Sequence, residues 1–198
     1  MRIVCLLSIT FLLGAVACKK TDSKADENKS KKPAATATEA KEFSLGSFKM
    51  MVPNSWTAEK PKSNMRRAQF MISGKAGPTS LIIYYFGKGG AGGAQANLDR
   101  WLGQLKQPDG KPSKDVAKIE NKTIGGMKVT VVDVSGHYVA AMRPGAKAKH
   151  DKPGARMLAA IVVASDGPYY LKMVGPAATV AEQKAGFDQL IASLKPGK

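Results

Sequence analysis

Six glycine-rich residues, 87–92, have the sequence Gly-Lys-Gly-Gly-Ala-Gly and match the G-x-G-x-x-G pattern of dinucleotide sites. Between a strand and a helix, this pattern brings backbone N–H groups close to a pyrophosphate. A dinucleotide site also needs a parallel βαβ unit with an acidic residue after its second strand. The segments that flank residues 87–92 have the pattern of hairpins, which argues against such a site. We expect the glycines to form a tight strand-to-helix connection. A weaker hypothesis is that Lys88 and the amides of Gly89, Gly90 and Gly92 bind an anion such as phosphate or a carboxylate.

Residue types used in nucleophilic catalysis lie close together on one predicted strand. Asp133, Ser135 and His137 could be drawn as a hydrolase triad. Side chains of a strand alternate between its faces, so we expect no triad from three residues crowded along it. The second histidine, His150, lies thirteen positions further on, and zinc would need two or three more ligands. Because the carboxylates are also scattered rather than paired as in glycosidases, we predict no enzyme, no metal and no cofactor.

A basic loop is the next candidate, in a chain whose net charge is +16. Its fourteen residues, 143–156, contain five basic side chains: Arg143, Lys147, Lys149, Lys152 and Arg156. No aromatic side chains are interleaved with them and no nucleic-acid-binding motif accompanies them, so we predict no nucleic-acid partner. We expect contact with an anionic component of the cell envelope or with a protein. The alternative is a solvated loop with no partner.

The first eighteen residues have the pattern of a secretory signal peptide. Arg2 is followed by fifteen uncharged, mostly apolar residues, 3–17, and then by Cys18. Small residues before this polar break predict cleavage between Ala17 and Cys18, which removes residues 1–17. The segment Ala15-Val16-Ala17-Cys18 resembles the lipobox of bacterial lipoproteins. That resemblance implies an acylated Cys18 and an exported chain held in a bacterial membrane by lipid.

Cysteine usage supports the lipid anchor. Cys5 lies in the signal peptide, so the mature chain keeps Cys18 alone and forms no internal disulfide. A free thiol there would scramble or dimerise in an oxidising compartment. The alternative is an ordinary signal peptidase site, which cuts the same bond and leaves Cys18 unmodified.

Composition divides the mature chain into a tether and one folded domain. Residues 19–42 contain seven lysines, five acidic residues and no aromatic or large aliphatic side chain. Such a segment buries too little apolar area to fold, so 18–42 is predicted to be a lipidated cysteine followed by a flexible tether. Apolar and polar residues alternate from Phe43 onward, and about 155 residues suffice for a single core, here 43–198.

The apolar spacing predicts three strands, a helix, four strands and a second helix. Strands are expected at 43–52, 67–73, 79–86, 116–124, 127–138, 157–164 and 169–174, and helices at 94–106 and 180–195. Thr179 and Glu182 are expected to form a capping box at the start of the last helix. Trp56, Trp101 and the pairs Tyr84-Tyr85 and Tyr169-Tyr170 are assigned to core packing. The predicted fold class is α+β: a mostly antiparallel sheet of about seven strands with two main helices packed on it.

This order of strands and helices resembles the PsbP-like α/β/α sandwich found in secreted and envelope-anchored bacterial proteins. The runs LIIYYFGKGGAGG, AQANLDRWLGQ and DGPYYLKMVGP also resemble a family of uncharacterised secreted bacterial domains, over most of 43–194. Both resemblances imply the fold and supply no active site.

The features together predict a membrane-anchored envelope lipoprotein that acts as a binding module with a basic surface. Its partners are expected to be membrane lipid, through Cys18, and an anionic envelope component or a protein. The alternative is an exported carrier of a small anion or other ligand, or an enzyme, that uses the 87–93 loop.

Overall fold

The computed structural model describes residues 39–142, 145–147 and 149–197. The predicted signal peptide, Cys18, most of the tether and Arg143 lie outside these residues. Where the chain is described, no helix has the length and hydrophobicity needed to cross a membrane.

Eleven strands and three α-helices make up the described chain. The strands are β1 (Ala40–Ser44), β2 (Phe48–Pro53), β3 (Thr57–Glu59), β4 (Arg66–Ile72), β5 (Thr79–Tyr85), β6 (Leu105–Lys106), β7 (Lys118–Ile124), β8 (Met127–Tyr138), β9 (Lys152–Ala164), β10 (Gly167–Pro176) and β11 (Lys195–Pro196). The helices are α1 (Gly93–Leu102), α2 (Ala177–Glu182) and α3 (Lys184–Ala192). Two 3-10 turns, Gly90–Gly92 and Ser113–Asp115, precede α1 and β7.

Strand pairing in both sheets is antiparallel. The large sheet has the order β3-β4-β5-β10-β9-β8-β6, and β7 also pairs with β8. The small sheet has the order β1-β2-β11. The predicted α+β class with a mostly antiparallel sheet is confirmed, although the sheet strands are more numerous than the seven expected.

Two hydrophobic clusters cover the two faces of the large sheet. One cluster joins this sheet to β2 of the small sheet and to α2 and α3, and includes Phe48, Phe70, Leu171 and Phe187. The other joins the opposite face to α1 and is centred on Trp101. Burial on both faces explains why β9 is almost continuously apolar rather than alternating.

Turn residues determine the hairpins, and three hairpins are found where the sequence predicts them. They join β4 to β5, β7 to β8 and β9 to β10. Gly125 and Gly126, between β7 and β8, have φ values of 55° and 77°. A two-residue turn of this kind requires positive φ at both positions, which glycine adopts without steric cost.

Strand and helix boundaries differ from the prediction at both ends of the domain. The single strand predicted at 43–52 is a hairpin, with the Leu45 N–H donating to the Phe48 carbonyl oxygen at 2.9 Å across a turn at Gly46. β1 begins at Ala40, so three residues assigned to the tether belong to a strand. The helix predicted to reach residue 106 ends at Leu102, because Leu105 and Lys106 pair with β8 instead.

The capping box at Thr179 is also wrong. Thr179 lies inside α2 and is 0% exposed. Its hydroxyl donates to the Gly77 carbonyl oxygen at 2.8 Å, so it joins the helix to the β4–β5 connection and does not cap the helix. The predicted single helix is also divided at Gln183 into α2 and α3.

Candidate functional site

The glycine-rich connection leads from β5 to α1 as expected. Gly87, Gly92 and Gly93 have φ values of 83°, 75° and 82°, which favour glycine. The connection also passes close to the β9–β10 turn, where a Cβ on Gly167 would lie 2.8 Å from the Lys88 Cα. Every strand pair of the large sheet is antiparallel, so the parallel βαβ unit of a dinucleotide site is not formed by the described chain. Anion binding at Lys88, Gly89, Gly90 and Gly92 stays a prediction.

The described residues of the predicted basic loop do not present one continuous surface. Lys147 and Lys149 are exposed, and Lys152 lines a groove on the α1 side of the large sheet. Arg156 instead lies in a depression lined by residues of α3. The pairing of β8 with β9 shifts between Gly136 and Tyr138, and this irregularity separates Lys152 from the regular part of β9 that carries Arg156.

Arg156 is occupied by an ion pair. Its Nε and Nη2 atoms donate to the two carboxylate oxygens of Asp133 at 2.8 and 2.6 Å. The hydrogen bonds that Arg156 donates to Asp133 raise the pKa of Arg156, because they stabilise the charged guanidinium. Both side chains are mostly buried, at 21% and 16% exposure. Arg156 therefore contributes to the structure more directly than to a free basic surface.

We expect this pair to stabilise the fold measurably. Asp133→Ala or Arg156→Ala should each lower the free energy of unfolding by about 2 kcal/mol, because the remaining charge is left half-buried without its partner. Urea denaturation of both variants and of the double variant would give the coupling energy, expected at about 1 kcal/mol. Additive losses in the double variant would contradict the assignment. Glu120→Ala, at an exposed pair with Lys122, is the matched control and should change stability little.

The residues considered as a triad have other partners. Asp133 is paired with Arg156, and His137 Nε2 contacts the Asp151 carboxylate. Spaced two residues apart, Asp133, Ser135 and His137 share one face of β8, so the expectation that they alternate was wrong. In the ranges that the structure covers, no three His, Cys, Asp or Glu side chains are grouped so that they could hold a metal ion.

A groove on the large sheet brings together polar groups from four strands and a loop. It has a volume of about 300 Å³ and lies on the same side of the sheet as α1. We call it the lysine groove. It is lined by Met71, Pro78, Thr79, Ser80, Ile82, Tyr84, Tyr138, His150, Lys152, Lys172 and Val174.

Lys172 is the most deeply placed cation that lines the groove, since Lys152 is exposed. It lies on β10 in the middle of the large sheet, opposite Ile82 on β5 and Ala159 on β9. Its Nζ donates to Gln104 Oε1, lies 3.5 Å from the Tyr138 hydroxyl and 5.2 Å from the centre of that ring. Burial is the main cause that lowers the pKa of Lys172 to about 8, and the positive charge of Arg100 contributes to the same shift.

Aromatic side chains form the walls beside this lysine. Tyr138 stacks on His150 with ring centres 5.4 Å apart, and Tyr84 stacks on Phe86 at 6.1 Å. Burial raises the pKa of Tyr138 to about 12, and the neighbouring Tyr84 raises it as well. Burial also raises the pKa of Tyr84, against the opposing effect of Arg66. Both phenols therefore stay protonated at neutral pH and can donate hydrogen bonds.

A second group of cations lies at the start of β4. We call it the basic rim: Lys60, Lys62, Arg66 and Arg67, which line one depression together with the β1–β2 turn. Arg66 lies over Tyr84 at 5.9 Å and Arg67 over Tyr85 at 5.5 Å, measured to the ring centres. Tyr84 also lines the lysine groove, so the rim and the groove meet at this ring. Among the described residues, no carboxylate lines either feature.

Three solved structures are similar to this chain in fold. CyanoP, the cyanobacterial PsbP of Synechocystis sp. PCC 6803, is 14% identical, with a TM-score of 0.48 over 83% of this chain and 96% of its own. LpqN, involved in cell envelope biogenesis of Mycobacterium tuberculosis, is 11% identical, with a TM-score of 0.45 over 81% and 91%. PA94, a protein of unknown function from Pseudomonas aeruginosa, is 15% identical, with a TM-score of 0.43 over 81% and 99%. The sequence matches no family model and no curated protein. Function therefore has to be argued from this chain's own side chains.

Neither the lysine groove nor the basic rim is among the sites that the sequence predicts. The rim has a local signal, because residues 60–67 carry four cations in eight positions, a higher density than the five in fourteen of the 143–156 loop. Lys172 has a weaker signal: it is the charged residue in an apolar strand between Leu171 and Met173. Tyr84, which the sequence assigns to core packing, packs partly buried against the cluster beside α1 and also lines the groove.

Proposed function

We propose that this chain is an exported lipoprotein whose folded domain recognises an anionic lipid surface of the cell envelope. The basic rim carries the proposal, since its four cations share one depression that no described carboxylate neutralises. Each lysine or arginine near an anionic membrane contributes about 1 kcal/mol to binding. In this proposal the domain acts as a binding module, and the basic rim is the surface that binds.

Lipidation of Cys18 supplies the anchor in this proposal. The support is the sequence: a signal peptide that ends in a lipobox-like segment, and a mature chain with one cysteine at its first position. Two or more acyl chains give stable anchoring, whereas one gives only marginal binding. A tethered basic domain would then be held close to the surface that attracts it.

We expect the mature wild-type protein to exceed the mass of polypeptide 18–198 by at least a diacylglyceryl group and to partition into detergent. Cys18→Ala should lose the added mass and move to the aqueous phase. Cys5→Ala is the matched control, since the signal peptide that contains it is removed. Intact mass and detergent partition measure both properties. A wild-type chain cut after Ala17, unmodified and water-soluble, would refute the anchor.

The rim is tested separately with the non-lipidated Cys18→Ala chain. We expect it to bind phosphatidylglycerol vesicles in preference to phosphatidylcholine vesicles, and to lose affinity as salt is raised. Glutamine at Lys60, Lys62 and Arg67 should weaken vesicle binding at least tenfold. The control removes three exposed lysines elsewhere, at the same cost in net charge: Lys114, Lys118 and Lys128. Equal losses in the two triple variants would show that net charge alone matters and would contradict the rim.

A further inference from the structure

Lys172 is placed where a lysine is costly unless an anion accompanies it. It occupies a central strand between two neighbours, and its contacts are a glutamine oxygen and a tyrosine ring. Arg100 is near enough to act on its charge, and Lys152 lines the same groove. A buried cation is normally paired with a carboxylate. Here the groove supplies hydrogen-bond donors and positive charge, and none of its described lining residues supplies the counter-charge.

Apolar side chains border the same lysine. Met71 and Pro78 lie at one side of the groove, and Ile82 and Val174 lie on β5 and β10 beside Lys172. A ligand that reaches the ammonium must therefore also contact hydrocarbon. The groove volume of about 300 Å³ accommodates roughly ten non-hydrogen atoms, because one water occupies about 30 Å³.

We infer that the lysine groove binds a small amphipathic carboxylate. The carboxylate accepts hydrogen bonds from Lys172 Nζ and the Tyr138 hydroxyl, and the apolar part lies against Met71, Ile82 and Val174. Lys172 supplies the one buried ammonium among the described lining residues, since Lys152 is exposed, and one buried ammonium matches a monoanion. Charge-assisted hydrogen bonds of this kind are among the strong ones. This site is distinct from the basic rim, and it stands whether or not the rim binds a membrane.

Binding of such an anion is coupled to the protonation of Lys172. The charged or titratable groups near Lys172 are Tyr84 on β5, Arg100 on α1, Tyr138 on β8, His150 in the loop before β9, and Lys152 at the start of β9. The carboxylate favours the ammonium form, so it raises the pKa of Lys172 and takes up protons above about pH 8. Affinity should change little near pH 7 and should fall as the pH rises through about 8.

Octanoate, with ten non-hydrogen atoms, is the probe, and octanamide is its uncharged counterpart. Calorimetric titration of the Cys18→Ala full chain should show octanoate bound at least tenfold more tightly than octanamide. Lys172→Met should lower octanoate affinity at least tenfold, and Lys128→Met, at an exposed position on β8, should leave it unchanged. A second variant keeps the lysine: Ile82→Glu places a carboxylate opposite Lys172 and should abolish octanoate binding.

Three results would overturn the inference. The first is octanoate affinity that is the same in Lys172→Met and wild type. The second is equal binding of octanoate and octanamide, which would make the site purely apolar. The third is displacement of octanoate by inorganic phosphate at similar concentration, which would identify a site for a hydrophilic anion. Thermal unfolding of each variant shows that lost binding does not reflect lost folding. Because vesicle binding is measured separately, failure of this inference is distinguishable from failure of the rim.

Discussion

Lys172→Met is expected to make the folded domain more stable at pH 7, by about 2 kcal/mol. The folded protein lowers the pKa of this lysine from 10.5 to about 8, chiefly because the charged form is buried. This difference in pKa between the unfolded and folded states lowers the free energy of unfolding by about 3 kcal/mol when Lys172 is charged. Methionine is similar in length and needs no counter-charge. It gives up the hydrogen bond to Gln104, which offsets about 1 kcal/mol.

The stability gain of Lys172→Met over wild type should decrease as the pH rises. The unfolded chain keeps the Lys172 proton up to about pH 10.5, whereas the folded chain releases it above about pH 8. Wild-type stability therefore rises with pH between these values relative to that of the variant. The advantage of Lys172→Met should be complete below about pH 8 and should vanish near pH 10.5.

Urea denaturation of wild type and Lys172→Met at pH 7, 9 and 10.5 measures this effect. Lys128→Met, an exposed lysine on β8, is the control and should change stability by less than about 0.5 kcal/mol at every pH. A variant that is less stable than wild type at pH 7 would contradict the prediction, and so would a gain that is equal at all three pH values. Saturating octanoate should recover part of the difference by stabilising wild type alone.

The hairpins and the fold class were predictable because their signals are local. Gly125-Gly126 has a short-range pattern that permits one turn type, and the apolar runs on either side become β7 and β8. The helical spacing of Leu98, Trp101 and Leu102 likewise identifies the buried side of α1. Such patterns act within a few residues, and the tertiary structure left them unchanged.

The lysine groove could not be predicted in the same way. Tyr84, Tyr138 and Lys172 come from β5, β8 and β10, and they meet only because the strand order of the large sheet and the position of α1 bring them together. Each residue alone has an ordinary explanation as part of an amphipathic strand. In the predicted basic loop, residues that are close in sequence are separated in the structure. The β8–β9 irregularity and the ion pair with Asp133 separate Arg156 from Lys152.

At Thr179 a tertiary contact overrides the local sequence signal for a helix cap. The sequence pattern from Thr179 to Glu182 is that of a capping box, in which aspartate is as good as threonine or better at the first position. In the structure Thr179 is 0% exposed and its hydroxyl donates to the Gly77 carbonyl oxygen. We therefore expect Thr179→Asp to lower the free energy of unfolding by about 3 kcal/mol or more, because it buries a carboxylate next to a carbonyl oxygen.

Two further variants separate burial from other effects of the new charge. Thr179→Ser keeps the hydroxyl that reaches Gly77 and should cost only about 1 kcal/mol, for the lost methyl group. Ala178→Asp places the same charge one residue earlier at an exposed position in the first turn of α2, where it should change stability by less than about 0.5 kcal/mol. Thermal or urea unfolding of the three variants measures their order of stability. A Thr179→Asp protein as stable as wild type would support the prediction that residue 179 caps the helix. It would mean that Thr179 does not join α2 to the β4–β5 connection.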